Sequence, residues 1–74
     1  MPGYVIQYHR SNGDYSIETY DGPNGSRDAM RRRLQLEAER TDKDIEIVAL
    51  NAKSLDAIKV THSRYFQGRE LHLT

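Results

Sequence analysis

Cysteine and tryptophan are both absent from this chain of 74 residues, and only two prolines occur in it. Without cysteine, the chain has no disulfide to hold a small fold and no thiolate to act as a nucleophile or metal ligand. The fold must therefore depend on its hydrophobic core. Because an absence of disulfides fits a reducing compartment, we expect a cytoplasmic protein.

An excess of charge of either sign is also missing. Eleven lysine and arginine residues balance eleven aspartate and glutamate residues, whereas nucleic-acid-binding domains typically carry a clear basic excess. No apolar run approaches the roughly 20 residues of a membrane-spanning helix, and the first residues lack the layout of a secretory signal. We therefore expect no membrane partner, and any polyanion would have to bind a local basic patch.

The size of the core is limited by composition. Apolar residues make up 36% of the sequence and charged residues 30%. A chain of this length lies at the lower edge of sizes that one hydrophobic core can stabilise without disulfides or metals. We expect a single domain over residues 1–74, either as a marginal monomer or as a dimer that shares apolar surface.

Two runs rich in aromatic and β-branched residues, at 4–10 and 15–20, flank the sequence Ser-Asn-Gly-Asp. Asn-Gly between such runs is a strong sequence signal for a β-hairpin. A two-residue Asn-Gly turn would place Tyr8 opposite Ile17. Because side chains alternate along a strand, the face expected to carry the core then consists of Tyr4, Ile6, Tyr8, Tyr15 and Ile17.

A helix is predicted over residues 26–40, after the turn-forming segment Asp-Gly-Pro-Asn-Gly at 21–25. Ser26 is the predicted N-cap, since its hydroxyl can accept a bond from an amide of the first turn. Residues 44–50 alternate as a third strand. After a crossover helix, this strand should run parallel to the second and lie beside the first, which gives the sheet order 2-1-3.

A second amphipathic helix is predicted from Ser54, its N-cap, to Gly68. Residues 70–74 fit either a short fourth strand at the sheet edge or a frayed tail. The order ββαβα indicates an α+β fold, a three-stranded antiparallel sheet packed with two helices, and leaves open which face the second helix covers. Five residues share the predicted apolar stripe of that helix: Leu55, Ile58, His62, Tyr65 and Phe66.

Three consecutive arginines in the first helix suggest nucleic-acid binding, because arginine side chains bind phosphates. A helical projection directs Arg33 toward Glu37, an i,i+4 pair, and leaves the two preceding arginines outside. The glycine-rich turn before the helix would present backbone amides to an anion, although it lacks the Walker pattern. Nucleic-acid binding is therefore the alternative function, with five candidate residues: Gly25, Ser26, Arg27, Arg31 and Arg32.

Catalytic and metal-binding patterns are not visible in the sequence. The histidines, at positions 9, 62 and 72, do not match any metal-ligand spacing. No serine or carboxylate has a base and an orienting group at a spacing typical of nucleophilic catalysis. We therefore expect no metal, no cofactor and no enzymatic activity.

Surplus apolar surface points instead to protein contacts. In the predicted register Val5 and Tyr20 face each other on the polar side of the hairpin, and Val48 and Leu50 would extend them into a patch if they share that side. Tyrosine and arginine are enriched among interface hot spots, and a small monomer rarely leaves such a patch bare. The leading interpretation is a small intracellular binding module, accessory or regulatory, acting through protein contacts and by self-association. Its candidate interface residues are Val5, Tyr20, Val48, Leu50 and Tyr65.

Overall fold

The elements follow one another in the predicted ββαβα order. The computed structural model describes residues 2–71 of the chain. Its elements are β1 (Gly3–His9), β2 (Tyr15–Tyr20), α1 (Gly25–Glu39), β3 (Ile45–Asn51), α2 (Leu55–Thr61) and a short 3-10 helix (Ser63–Phe66).

β1 is the central strand of a three-stranded sheet with the order β2-β1-β3, and both of its neighbours run antiparallel to it. α1 connects the two outer strands, which are therefore parallel to each other. The predicted α+β fold and strand order are confirmed. Of the predicted edge strand at 70–74, a single parallel bridge between Tyr15 and Glu70 is present, and residues 72–74 lie outside the described part of the chain.

The hairpin register differs by two residues from the predicted one, since Tyr8 pairs with Tyr15 and not with Ile17. A shift of two keeps every side chain on its face, because the side-chain period of a strand is two. The predicted core face is therefore retained, and its members belong to one apolar cluster: Tyr4, Ile6, Tyr8, Tyr15 and Ile17.

A connection longer than a two-residue turn causes this shift. The amide of His9 donates to the carbonyl of Asp14 at 2.8 Å, and the amide of Gly13 donates to the carbonyl of His9 at 2.8 Å. Ser11 is held by the carboxylate of Asp44 through its amide at 3.0 Å and its hydroxyl at 2.8 Å. Asp44 immediately precedes β3, so this long-range contact ties the loop to the third strand, while the loop is closed locally by the amide of Asp14, which donates to Oδ1 of Asn12 at 2.9 Å.

α2 and the 3-10 helix cover the side of the sheet that carries Ile6, here called the front face. Ile58 of α2 and Tyr65 of the 3-10 helix complete its core, with exposed fractions of 1% and 8%. Ser54 is the N-cap of α2, as predicted, and accepts a bond from the amide of Ala57 at 3.2 Å. The predicted helix thus consists of an α-helical and a 3-10 segment.

α1 covers the opposite side of the sheet, here called the back face. Val5, Ala29 and Ile47 form its buried cluster, so the two helices enclose the sheet from opposite sides. Two glycines allow α1 to approach β1 closely: a Cβ on Gly3 would lie 2.4 Å from the carbonyl oxygen of Gly25.

The start of α1 differs from the prediction by one residue. Asn24, not Ser26, occupies the N-cap position, and it makes no side-chain capping bond. Its side-chain oxygen instead accepts from Nη2 of Arg27 at 2.8 Å. Ser26 lies within the first turn of the helix, so its predicted role as the cap is wrong.

Candidate interaction surfaces

The residues expected to form one apolar interface patch lie on both faces of the sheet. Val5 and Tyr20 belong to the back face and pack beneath α1. Val48 and Leu50 belong to the front face, because β3 aligns Val48 with Ile6, and both pack against the front core. The condition for a joint patch, that these four residues share one side of the sheet, is therefore not met.

Tyr65, the fifth expected interface residue, is bound inside a charged cluster at the rim of the front core. Its hydroxyl donates to Oε2 of Glu46 at 2.5 Å, and its ring meets the ring of Tyr8 edge-on at a centroid distance of 5.2 Å. Nε of Arg10 and Nη2 of Arg64 lie 3.2 and 3.7 Å from Oε1 of Glu46. The bond from Tyr65, followed by the two arginines, lowers the pKa of Glu46, whereas burial and then Glu46 raise the pKa of Tyr65.

A second tyrosine, glutamate and arginine cluster lies on the back face. The hydroxyl of Tyr20 donates to Oε1 of Glu18 at 2.6 Å, and Nε of Arg32 donates to the same oxygen at 3.0 Å. Burial, followed by the bond to Glu18, raises the pKa of Tyr20 to about 12, and the bond to Glu18 also raises the pKa of Arg32. Arg32, predicted to point outward, is thus turned toward β2.

The remaining arginines of α1 are mostly paired within the chain. Nε of Arg33 lies 3.1 Å from Oε1 of Glu37, as the i,i+4 spacing predicted, and Arg27 binds the side chain of Asn24. Arg31 is exposed, and within residues 2–71 its side chain makes no hydrogen bond or ion pair. The row of three arginines therefore leaves one unpaired side chain for a phosphate.

The glycine-rich turn before α1 uses its backbone groups internally. The amide of Gly25 donates to the carbonyl of Gly22 at 3.1 Å, and the amide of Asp28 donates to the carbonyl of Asn24 at 2.9 Å. Gly25 is itself buried against Gly3. Of the five nucleic-acid candidates, Ser26, Arg27 and Arg31 are exposed, while Gly25 and Arg32 serve the packing of α1 on the sheet.

One hydroxyl contacts a histidine. Oγ1 of Thr61 lies 2.8 Å from Nδ1 of His62 and donates to the carbonyl of Ala57 at 3.1 Å. A hydroxyl has one proton, and the donor and acceptor roles in its contact with His62 depend on the tautomer of the imidazole. Among residues 2–71, no group of histidine and carboxylate side chains is arranged for a metal ion; His72 lies outside this range.

A groove of about 200 Å³ lies between the end of α1 and the sheet, with Gln7, Leu36 and Ile47 among its lining residues. Arg40 at its rim donates to the carbonyl of Ile45 at 3.1 Å. The Asp42 side chain, also at the rim, accepts from the amide of Asp44 at 2.9 Å. These polar groups hold the connection between α1 and β3, a structural use that leaves them less available to a ligand.

Apolar side chains also line the side of α1 that faces away from the sheet. Met30 and Leu34 are 43% and 59% exposed and lie one helical turn apart, and exposed Ala38 continues their line. We call these three residues the outer stripe. Ala29 and Leu36, which pack on the sheet, point in the opposite direction at 100° per residue.

These surfaces belong to a small α+β domain with one helix on each face of its sheet. No family model, curated protein or solved structure matches the chain. No helix within residues 2–71 has the length and apolar character needed to cross a membrane. The surfaces of the domain are therefore the basis for an inference about function.

Proposed function

We propose that this protein is a small non-enzymatic binding module, an accessory or regulatory protein that acts through protein contacts. The outer stripe of α1 is the observation that carries the proposal. A helix needs one apolar stripe to pack against a sheet, and α1 meets that need with Ala29 and Leu36. The second stripe, exposed at Met30 and Leu34, lies outside this buried cluster and suits a surface that a partner covers.

The surroundings of the outer stripe resemble the layout of a protein interface. At 100° per residue, Arg31 lies on one side of the stripe and Glu37 on the other, and both are exposed. An apolar centre with a charged rim is the usual composition of such interfaces. The partner that fits best presents an apolar patch of its own. We place this interaction in the cytoplasm, because a chain without cysteine suits a reducing compartment.

Nucleic acid is the alternative partner, through Arg27 and Arg31, which are both exposed near the outer stripe. Three observations favour a protein instead. The charges of the chain cancel, Arg32 is bonded to Glu18, and the amide of Gly25 is used by the preceding turn. A nucleic-acid module ordinarily keeps a basic face free for phosphates.

The test places a photo-cross-linking amino acid at Leu34 in cells of the source organism, with Val60 as the matched control. Val60 is 80% exposed and lies on α2, away from the outer stripe. We expect one protein to be cross-linked from position 34 and not from position 60. With that protein purified, Leu34→Lys should weaken binding by about 10- to 100-fold, the equivalent of one buried leucine, and Val60→Lys should leave it unchanged.

Two results would overturn the proposal. One is an identical set of cross-linked proteins from both positions, and the other is a purified partner whose affinity does not respond to Leu34→Lys. Cross-linking to nucleic acid, with an affinity that falls with salt and with Arg31→Ala, would establish the alternative function.

A further inference from the structure

β3 lies at an edge of the sheet, and its hydrogen-bond pattern shows which backbone groups face outward. The amide of Arg10 donates to the carbonyl of Asp44 at 2.9 Å, and the amide of Ala52 donates to the carbonyl of Pro2 at 3.4 Å. Both pairs belong to the register of β1 with β3. Because bonded and non-bonded pairs alternate in an antiparallel ladder, the even-numbered residues of β3 bond to β1 and the odd-numbered residues face outward.

The outward groups of β3 divide into one occupied position and an open stretch. At Ile45 the amide donates to the carbonyl of Asp42 at 3.2 Å, and the carbonyl accepts from Arg40 at 3.1 Å. Within residues 2–71, no hydrogen bond uses the outward N–H and C=O groups of the three other odd-numbered residues, which are Ile47, Ala49 and Asn51.

This open stretch lacks the features that protect natural sheet edges. Such edges are blocked by lysine, proline, bulges or a covering segment. Residues 47–51, Ile-Val-Ala-Leu-Asn, contain no charge and no proline, and their register with β1 runs without a bulge. The outer edge of β2 differs at one end, where Tyr15 bonds to Arg69 at 3.0 Å and to Leu71 at 2.6 Å, and its other outward residues, Ile17 and Thr19, flank the charged Glu18.

We propose that the open edge of β3 pairs antiparallel with β3 of a second copy of this chain, which joins the two sheets of three strands into one. A two-fold axis at Ala49 places Ile47 of one copy opposite Asn51 of the other and Ala49 opposite its own equivalent. Every outward N–H and C=O group of the open stretch then has a partner. The pairing is isologous, as in most homodimers.

The side chains of β3 and the bonds already made at Ile45 favour this register over the two registers whose axis lies one residue away. With the axis at Ala49, Val48 of one copy faces Leu50 of the other, so that the apolar front faces of the two sheets become continuous. A shift of the axis to Val48 would place Glu46 opposite Leu50 and would bring in Ile45, whose groups are already bonded. A shift to Leu50 would leave Ile47 facing beyond the end of the strand, which ends at Asn51.

The edge pairing extends the proposed function. It rests on the same class of activity, protein contact, and uses a different surface of the chain. Val48 and Leu50, two of the residues expected at an interface, would contact each other across the two-fold axis at the sheet edge. The outer stripe faces away from the sheet on α1 and stays accessible in such a dimer. The two surfaces can therefore be tested separately.

Residue-resolved hydrogen exchange tests the pairing on the unmodified chain. We expect a dimer by sedimentation at about 1 mM protein, a concentration that populates even a weak complex. In the dimer the amides of Ile47, Ala49 and Asn51 should exchange at least about tenfold more slowly than in the diluted monomer. The amide of Leu50, which bonds inward to β1, is the internal control and should be protected at both concentrations.

The matched variants are Ala49→Pro and Thr19→Pro. Proline removes an outward amide in each case, on the β3 edge and on the β2 edge respectively, without removing a bond to β1. Circular dichroism should show both variants folded, and sedimentation should show Ala49→Pro as a monomer and Thr19→Pro as a dimer. If a proline variant unfolds, the exchange experiment, which needs no substitution, decides.

Three results would overturn the edge pairing. They are a strict monomer at about 1 mM, a dimer in which the three outward amides exchange as fast as in the monomer, and a folded Ala49→Pro chain that still dimerises. A dimer abolished by Leu34→Lys and kept by Ala49→Pro would assign self-association to the outer stripe. Loss of the cross-linked partner at Leu34 with the edge dimer intact would contradict only the proposed function.

Discussion

The hydroxyl of Tyr65 donates to the carboxylate of Glu46 at 2.5 Å, and this bond joins the 3-10 helix to β3. Tyr20 and Glu18 repeat the relationship on the other face of the sheet at 2.6 Å, with Arg32 linking them to α1. Each helical layer is therefore attached to the sheet twice, by an apolar cluster in the middle and by a tyrosine, glutamate and arginine cluster at the rim. In a protein with so thin a core, these rim contacts help to fix where each helix lies on the sheet.

Removal of the Tyr65 hydroxyl should lower the free energy of unfolding. In Tyr65→Phe the carboxylate of Glu46 loses its shortest donor, and a hydrogen bond to a charged group contributes about 1.5 to 3 kcal/mol. We expect the lower end of that range, because the side chain of Glu46 is 21% exposed. Urea denaturation measures the change. The matched control is Tyr8→Phe, whose hydroxyl has no hydrogen-bond partner among residues 2–71, and a loss of equal size there would contradict the assignment.

The same bond makes stability depend on pH in the acid range. The folded-state pKa of Glu46 lies below its ordinary value of 4.5, so the unfolded chain binds more protons and unfolding free energy rises with pH in that window. The contribution is complete above the unfolded pKa and is lost as pH falls through the folded pKa. The difference between the wild type and Tyr65→Phe should therefore be largest near neutral pH and shrink in acid, as denaturation curves at several pH values would show. A difference that is constant with pH would contradict this origin.

Tyr20 should make the protein lose stability in alkali. Its folded-state pKa is about 12, against 10.0 in the unfolded chain, so the folded state retains a proton that the unfolded state releases. The contribution is complete below pH 10.0 and is lost as pH rises toward about 12. In Tyr20→Phe the alkaline loss should be smaller, with a remainder from Tyr15 and Tyr65, whose pKa values are also raised. Denaturation curves above pH 9 compare the two proteins, and identical slopes would contradict the prediction.

The contact between Gly3 and Gly25 should not tolerate a methyl group on either side. A Cβ on Gly3 would lie 2.4 Å from the Gly25 oxygen, and a Cβ on Gly25 would lie 2.3 Å from the Tyr20 oxygen. Gly3→Ala and Gly25→Ala should each cost about 1 to 3 kcal/mol or more, because α1 must move away from the sheet. Thermal denaturation provides the measurement. Ser26→Ala, at an exposed neighbouring site without a capping bond, is the control and should change little.

Strand order and core faces could be predicted because their causes are local or periodic. Alternation along each strand identified the front core, and a crossover helix after a hairpin restricts the third strand to one place. The same alternation placed Val5 and Tyr20 on the back face correctly. It left open which face carries Val48 and Leu50, because alternation defines two faces of a strand without saying which one matches a given face of its neighbour.

Contacts between distant segments explain the other differences. The longer hairpin loop is held in part by Asp44, which accepts two bonds from Ser11 across 33 positions of sequence. Arg32 was expected outside because a helical wheel shows directions but not the length of a side chain that reaches Glu18 from the edge of the helix. The strand order places β3 at an edge of the sheet. Whether that edge can pair with another strand depends on which of its outward N–H and C=O groups are already bonded. The sequence does not show these bonds, such as the one from Arg40 to the carbonyl of Ile45.

A double-mutant cycle can show that Arg32 is part of the structure of α1 and is not a free phosphate-binding group. Arg32→Ala, Glu18→Gln and the double variant should give a coupling energy of about 0.5 to 1 kcal/mol, since the two side chains are only 31% and 30% exposed. The matched cycle with Arg31→Ala should give a coupling near zero, because the side chain of Arg31 makes no bond to Glu18 or to any other residue in the range 2–71. Urea denaturation at low and high salt measures both cycles, and the Arg32 coupling should weaken with salt as partly exposed ion pairs do. Equal coupling for both arginines would mean that Arg32 is as free as its neighbour, and the basic surface available to nucleic acid would then be larger than the bonded geometry implies.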